Sequence, residues 1–299
     1  MAFNPNAIFI SPSSLSDFEK CSQLYYYRQI YRSPRGLKIQ LINPSLALGQ
    51  AIHDTLEQFL KSNGPRTKEE LKRIFDFIWA NLSGEKGGFT AAEEEKSFKE
   101  RALSILERFW NNLHFRQAEP VRIPGFPKVE LGNDLILTGK LDWIEKDGDS
   151  YHIIDFKTGK EEGGDSQQLS IYALLVSRLL GSKKIRTSNW YLDKNEEIVS
   201  VPLVDLEETF VSLKKKGEII KMIRQTNSFR CQSGQESCWA CRDILAVAQG
   251  KGKLVSMDPV NRKQEIYILT PEKESETVVS VASESKAAPQ VNVVEDLPF

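Results

Sequence analysis

The chain has 299 residues, with 41 acidic against 40 basic side chains and a net charge of −1. That balance excludes a polycation, so any nucleic-acid surface must be a local patch. Hydrophobic residues at 40% and charged residues at 27% describe a globular chain of one large domain or two modest ones. No apolar run has transmembrane length, and Met1-Ala2-Phe3-Asn4 lacks the features of a signal peptide. A cytoplasmic protein with no membrane partner is expected.

In chain order, Ser11 to about Tyr31 reads as a helix behind a Ser-Pro-Ser-Ser start, with Leu15, Phe18, Cys21 and Tyr25 at helical spacing. A second helix is expected over Leu46–Ser62, stopped by Asn63-Gly64-Pro65. Thr67-x-x-Glu70 and Thr90-x-x-Glu93 read as capping boxes that open a third and a fourth helix. After Pro120 the pattern changes. Strands are expected from Val129 to about Phe156, a helix over Gln167–Leu180, and strands at Ile185–Leu192 and Glu197–Leu203. A long helix, Leu206 to Arg224, precedes a group of cysteines. This order implies an α/β or α+β domain with a mixed sheet. From Pro271 onward the composition predicts a disordered tail with six acidic and two basic side chains.

The chemistry concentrates on one hairpin. Asp155 and Lys157 lie two residues apart on a strand and so share a face. If the turn is centred between Gly148 and Asp149, Asp142 stands opposite Asp155, whereas a turn centred on Asp147-Gly148 breaks that pairing. Two opposed carboxylates suit Mg²⁺ or Mn²⁺, which prefer hard oxygen ligands. A metal there would polarise a phosphate and lower the pKa of a water, with Lys157 orienting that water or stabilising transition-state charge. An isolated Asp-x-Lys, however, arises often by chance on solvated strands.

The surrounding motifs carry more weight. Gly139-Lys140-Leu141-Asp142-Trp143-Ile144 is followed by Ile153-Ile154-Asp155-Phe156-Lys157-Thr158-Gly159-Lys160, and then by Gln168-x-x-x-Tyr172 on the next helix. Upstream stand Gly49-Gln50-Ala51-Ile52-His53 and Ser11-Pro12-Ser13-Ser14-Leu15 through Cys21. In this order, over about residues 11–245, they resemble the RecB-like branch of the PD-(D/E)XK nucleases. The resemblance implies a restriction-endonuclease-like α/β core with a mixed central sheet flanked by helices. It implies metal ligation by His53, Asp142, Asp155 and the Phe156 carbonyl, with Lys157 as the catalytic lysine. It places Gln168 and Tyr172 with Asp142, Asp155 and Lys157 among the catalytic residues, within reach of the same site or the DNA backbone. His114 and His152 match nothing and are taken as structural.

Cys21 stands alone, while Cys231, Cys238 and Cys241 fall within eleven positions. A disulfide framework is improbable in a reducing compartment. The one-plus-three layout resembles AddB-type and CRISPR adaptation nucleases, which implies a four-iron four-sulfur cluster clamping the chain ends. The spacing Cys-x6-Cys-x2-Cys departs from their Cys-x2-Cys-x5-Cys, and four thiolates also suit zinc.

The expected organisation is a helical part over 1–115 carrying His53 and Cys21, and a nuclease core with the cysteine group over 116–250. An extension without assigned elements covers 251–270, and the acidic tail covers 271–299. The expected function is metal-dependent hydrolysis of DNA, single-stranded or with free ends, in repair, recombination or related processing. The alternative is a catalytically silent DNA-binding or scaffold subunit, which the intact ligand set argues against. Lys183-Lys184, Lys214-Lys215-Lys216 and Tyr25-Tyr26-Tyr27-Arg28 are candidate DNA contacts, more often solvated faces or core. No Gly-x-x-x-x-Gly-Lys-Ser/Thr loop occurs, so no helicase activity is expected of this chain, and a helicase is a candidate partner. Glu295-Asp296-Leu297-Pro298-Phe299 resembles the acidic tip of bacterial single-stranded-DNA-binding proteins, which implies docking on repair proteins.

Overall fold

The computed structural model describes residues 4, 7–62, 64, 66–159, 166–194 and 197–269. Lys160, the tail from Pro271 and the tip Glu295–Phe299 lie outside the described residues. No helix among the described residues is long and apolar enough to cross a membrane.

Strand β1 (Ile8–Ile10) leads into helix α1 (Pro12–Lys20). Ser11 Oγ accepts from the Ser14 amide while the Ser11 amide donates to Ser14 Oγ, and Pro12 occupies the first turn, where no N–H is needed. The single helix expected to Tyr31 is broken. Cys21 adopts extended geometry (φ −171°, ψ 127°), and α2 (Ser22–Tyr25) and a π-helical turn (Tyr26–Ile30) follow it. The sequence does not reveal it, because Leu15, Phe18, Cys21 and Tyr25 recur at helical intervals along the chain whether or not the backbone is continuous.

After β2 (Lys38–Leu41), helices α3 (Pro44–Lys61), α4 (Lys68–Ala80), α5 (Ala92–Asn111) and α6 (Leu113–Gln117) form the helical part. Thr67 caps α4 through the Glu70 amide, but the Glu70 carboxylate turns to Arg73 instead of closing the box. The Thr90 box does not form either. Helix α5 begins one residue later, with Ala91 at the cap, and Glu94 reaches back to Thr90.

Three sheets share one compact unit, 1–269. Strand β3 (Lys128–Gly132) is antiparallel to β4 (Leu135–Thr138), which runs parallel to β1. The functional sheet has the order β5 (Trp143–Asp147), β6 (Ser150–Lys157), β7 (Ile185–Tyr191), β8 (Ile198–Ser200). Strand β6 is antiparallel to β5 and parallel to β7, making the sheet mixed, with α7 (Ser166–Leu180) crossing over between β6 and β7. Helices α8 (Leu206–Thr226) and α9 (Arg242–Ala248) follow. The segment after α9, with no expected element, forms a hairpin of β9 (Gly252–Asp258) and β10 (Gln264–Leu269), with β10 parallel to β2.

Strand β6 is buried on both faces, and its alternation divides the core. Ile154 and Phe156, with Trp143 and Trp190, pack against Phe59, Phe109 and Phe115 of α3, α5 and α6. Ile153, with Ile144, packs against Leu169, Tyr172, Ala173 and Val176 of α7. The fold is therefore mixed α/β with helices on both faces of the central sheet, as expected. Asp155 and Lys157 share the Ile153 face and so lie under the start of α7.

Candidate active site

The turn decides the geometry. Gly148 takes φ +56°, and the ladder pairs Asp147 with Ser150 through Trp143 with Ile154. A two-residue hairpin turn of this kind needs positive φ, which glycine adopts without cost. The register is the one centred between Gly148 and Asp149, and its continuation brings Asp142 beside the end of β6. There Asp142 Oδ2 accepts from the Phe156 amide at 2.9 Å.

Three elements and the segment carrying Asp142 supply the site. Helix α3 contributes His53, whose Nδ1 lies 3.0 Å from Asp142 Oδ1. Strand β6 contributes Asp155 and Lys157, with Lys157 Nζ 2.7 Å from Asp155 Oδ2. Helix α7 contributes Gln168 and Tyr172, one turn apart. Gln168 Nε2 donates to Asp155 Oδ1 at 2.8 Å and to the Tyr172 hydroxyl at 3.2 Å, while Gln168 Oε1 accepts from Lys157 Nζ at 2.9 Å. All six side chains and the Phe156 backbone thus line one open cleft of about 350 Å³.

Burial and charge set the ionisation. Burial, then the charge of Asp142, pushes the Asp155 carboxyl up to about 6, against the pull of Lys157. Asp142 goes the other way. Burial opposes its ionisation, but the His53 charge and hydrogen bond, together with the Phe156 amide, hold it below the usual carboxylate range. Burial alone would lower the His53 pKa, yet Asp142 raises it. Burial, then the charges of Asp155 and Asp142, keeps the Tyr172 hydroxyl protonated. The site therefore holds two carboxylates under strain, an imidazole, and a hydroxyl and an amide that can only orient. That donor set fits a hard divalent cation, which would relieve the repulsion that raises Asp155.

Close packing places Tyr172. A Cβ on Gly139 would come within 2.9 Å of Tyr172 Cε1, so glycine is the residue that lets the ring pass the chain entering Asp142. Three further residues, Lys140, Thr158 and Gly159, line the cleft without an assigned role. Lys140 pairs with Glu57 and Asp54 on the helix that carries His53. Its position two before Asp142 in an extended segment is the sequence signal for it. His114 and His152 lie apart from the cleft, both bonded to Glu145, and His152 also to Ser188.

The cysteines form a second centre. The break after α1 leaves Cys21 fully buried, and its Sγ and those of Cys231, Cys238 and Cys241 all lie within 4.8 Å of one another. Cys238 and Cys241 are 3.7 Å apart, and Cys241 and Cys231 3.8 Å. Burial pushes the Cys241 thiol up to about 12, while Ser233 draws Cys231 down to about 7. Ser22 Oγ donates to the Arg230 carbonyl at 2.7 Å and ties the two chain segments together beside the sulfurs.

Lys214 and Lys216 lie on α8, and Lys216 pairs with Glu19. Tyr25 is core, while Arg28 is bound to Asp17 at 2.7 Å.

A model of the PD-(D/E)XK nuclease superfamily matches residues 10–243. No match was found among curated proteins. Among solved structures, an exonuclease candidate from Eubacterium rectale aligns with 85% of this chain and 91% of its own at 15% identity, with a TM-score of 0.47. The protein SSO0001 aligns with 79% of this chain and 92% of its own at 13% identity and a TM-score of 0.29. Both likenesses are too distant to speak for an activity.

Proposed function

The chain belongs to the PD-(D/E)XK nuclease superfamily, and from that premise we propose that it is a Mg²⁺- or Mn²⁺-dependent deoxyribonuclease of the RecB-like type. Its proposed action is exonucleolytic hydrolysis of phosphodiesters, on DNA that is single-stranded or has free ends, in repair, recombination or related processing. The observation that carries this reading is the convergence of His53, Asp142, Asp155, Lys157 and Gln168 from separate elements into one cleft.

His53, Asp142, Asp155 and the Phe156 carbonyl are the proposed holders of the metal. When bound, such an ion polarises a phosphate and supplies a water of lowered pKa. Lys157 is held by Asp155 Oδ2 and Gln168 Oε1, which supports its proposed role of stabilising negative charge that develops at the phosphate. Gln168 bridges Lys157, Asp155 and Tyr172 and holds them in register. His53 holds the Asp142 carboxylate through its Oδ1.

The four cysteines are proposed to hold a structural metal centre that fastens the N-terminal helices to the segment before α9. The one-plus-three layout favours the AddB-type and CRISPR adaptation branch and its four-iron four-sulfur cluster. The close sulfur spacing favours a second reading, a single zinc ion, for which Zn–S bonds of about 2.3 Å in a tetrahedron give sulfur separations of about 3.8 Å. The absorbance spectrum and metal content of anaerobically purified protein separate the two.

The test of the active site is cleavage of linear single- and double-stranded DNA with Mg²⁺ or Mn²⁺. Asp155→Ala and Lys157→Ala should each lower the rate by about 10²-fold or more. Equal rates in wild type and both variants would falsify the assignment.

A further inference from the structure

Two clefts meet at the candidate site. The second, about 520 Å³, shares Lys140, Gln168 and Tyr172 with the first and runs past Gly139 to Ser13, Lys38 and Phe126. It has three properties that the hydrolytic site does not explain.

No Asp or Glu lines it, in a chain that contains 41 of them. Two cations line it, Lys140, which it shares with the first cleft, and Lys38, which it does not. The Lys38 ammonium is half-buried and has no hydrogen-bond or ion-pair partner among the described residues. Burial first, and then the nearby Arg32 and Arg28 guanidiniums, lower its pKa. Asp17, the carboxylate nearest in effect, is already bonded to Arg28. Positive charge left unneutralised in a partly desolvated wall is relieved by an anion. Finally, Phe126 is 68% exposed at the rim, with no ring partner among the described residues. An aromatic face beside a cationic groove is the pairing that holds a single nucleic-acid strand, by stacking bases and tracking phosphates.

We propose that this cleft carries one strand of the DNA substrate away from the scissile phosphate, with Lys38 and Lys140 facing its phosphates and Phe126 stacking a base. The inference rests on the nuclease reading for what the strand is. The uncharged remainder of the wall, with the Ser13 and Ser16 hydroxyls, contributes contacts that do not depend on base identity. Lys140 balances Glu57 and Asp54 when no strand is present and turns to a phosphate when one is.

The experiment is fluorescence anisotropy of a labelled oligothymidylate of about 12 nucleotides on the full chain in EDTA, where cleavage does not interfere, across a salt series. Phe126→Ala should weaken binding about tenfold at every salt concentration, because it removes a stacking contact and no charge. Lys38→Gln should weaken binding and flatten the log–log salt slope by about 0.7, the value for one lost phosphate contact on a single strand. Lys99→Gln, on α5 away from the cleft, should leave both affinity and slope unchanged. Binding by Phe126→Ala and Lys38→Gln equal to wild type, with melting temperatures also unchanged, overturns the proposal. So does a Lys38→Gln loss with an unaltered slope. Because binding is read without hydrolysis, cleavage by the wild type with Mg²⁺ separates the two readings. If it cleaves DNA while these variants bind normally, only the track fails. If it neither binds nor cleaves, the nuclease reading fails with it.

Discussion

Asp155→Asn removes one charge from the site while keeping its shape, and the metal-free protein should become more stable for it. Asp155 is 4% exposed, and its carboxyl is pushed from 3.8 up to about 6 by burial and by Asp142. A carboxyl raised in the folded state costs stability only where it must ionise. The cost is absent below about pH 4, grows as pH rises toward 6, and is complete above it. A shift of about two units corresponds to about 3 kcal/mol at about pH 8. Asparagine turns an NH2 toward either Lys157 or Gln168, both of which donate to Asp155, so an imperfect fit offsets part of that gain. A net stabilisation of about 1–3 kcal/mol remains. Mg²⁺ changes the ranking. At about 100 times its dissociation constant it adds about 2.7 kcal/mol to the wild type and far less to a variant lacking a ligand charge. The assay is urea unfolding followed by tryptophan fluorescence, since Trp143 and Trp190 are both fully buried in the core behind the site. It is run at about pH 8 in EDTA and in Mg²⁺, and near pH 4 in EDTA, where the difference should vanish. A variant less stable than wild type in EDTA at the higher pH, or a difference that ignores pH, refutes the reasoning.

Three further outcomes follow from the packing. Gly139→Ala places a methyl 2.9 Å from the buried Tyr172 ring, so urea unfolding should show a loss of about 1–3 kcal/mol and DNA cleavage should slow as Tyr172 and Gln168 shift. Phe115→Ala removes a ring stacked on Trp190 at 4.7 Å and edge-on to Trp143 and Phe156, which should cost about 3–5 kcal/mol by the same measurement. Burial opposes ionisation of Glu145, but hydrogen bonds from His152, Trp143 and His114 hold its carboxyl down to about 2. Its stabilisation is complete above about pH 4.5 and is lost as pH falls toward 2. Glu145→Gln should therefore lower stability by about 1–3 kcal/mol at neutral pH and by almost nothing near pH 2, as read by denaturant titration across pH.

The hairpin carrying the site was legible because a short turn is a local device. The sequence allowed two turn centres, and the one at Gly148-Asp149 is observed; it brings Asp142 to the end of β6, where the Phe156 amide holds it. The position of Gln168 and Tyr172 on one helix face was legible for the same reason. The break at Cys21 was not, because helical and broken-helical segments space their apolar residues alike. The misplaced Thr90 cap shows a similar limit. Glu94 bonds Thr90 as well as Glu93 would have done, and the choice rests on where α5 packs.

Strands β1 and β2 illustrate what pattern alone cannot carry. Ile8–Ile10 pairs with Leu135–Leu137, and Lys38–Leu41 pairs with Gln264–Tyr267. Strands this short have no signal of their own, and their partners are distant in the chain. The role of Lys140 in joining two clefts was hidden likewise, since its acidic partners lie on α3.

By itself the sequence determined most of the longer helices, two possible hairpin registers and the identity of the chemical groups, because each depends on interactions within a few residues. Only the tertiary structure decided that His53 reaches Asp142, that Gln168 bridges Asp155 and Lys157, and that Cys21 meets Cys231, Cys238 and Cys241. Those meetings depend on how the helices pack against both faces of β6. That packing is set by the shapes of side chains distant in sequence, such as Phe59, Phe109 and Phe115 on one face and Leu169 and Val176 on the other.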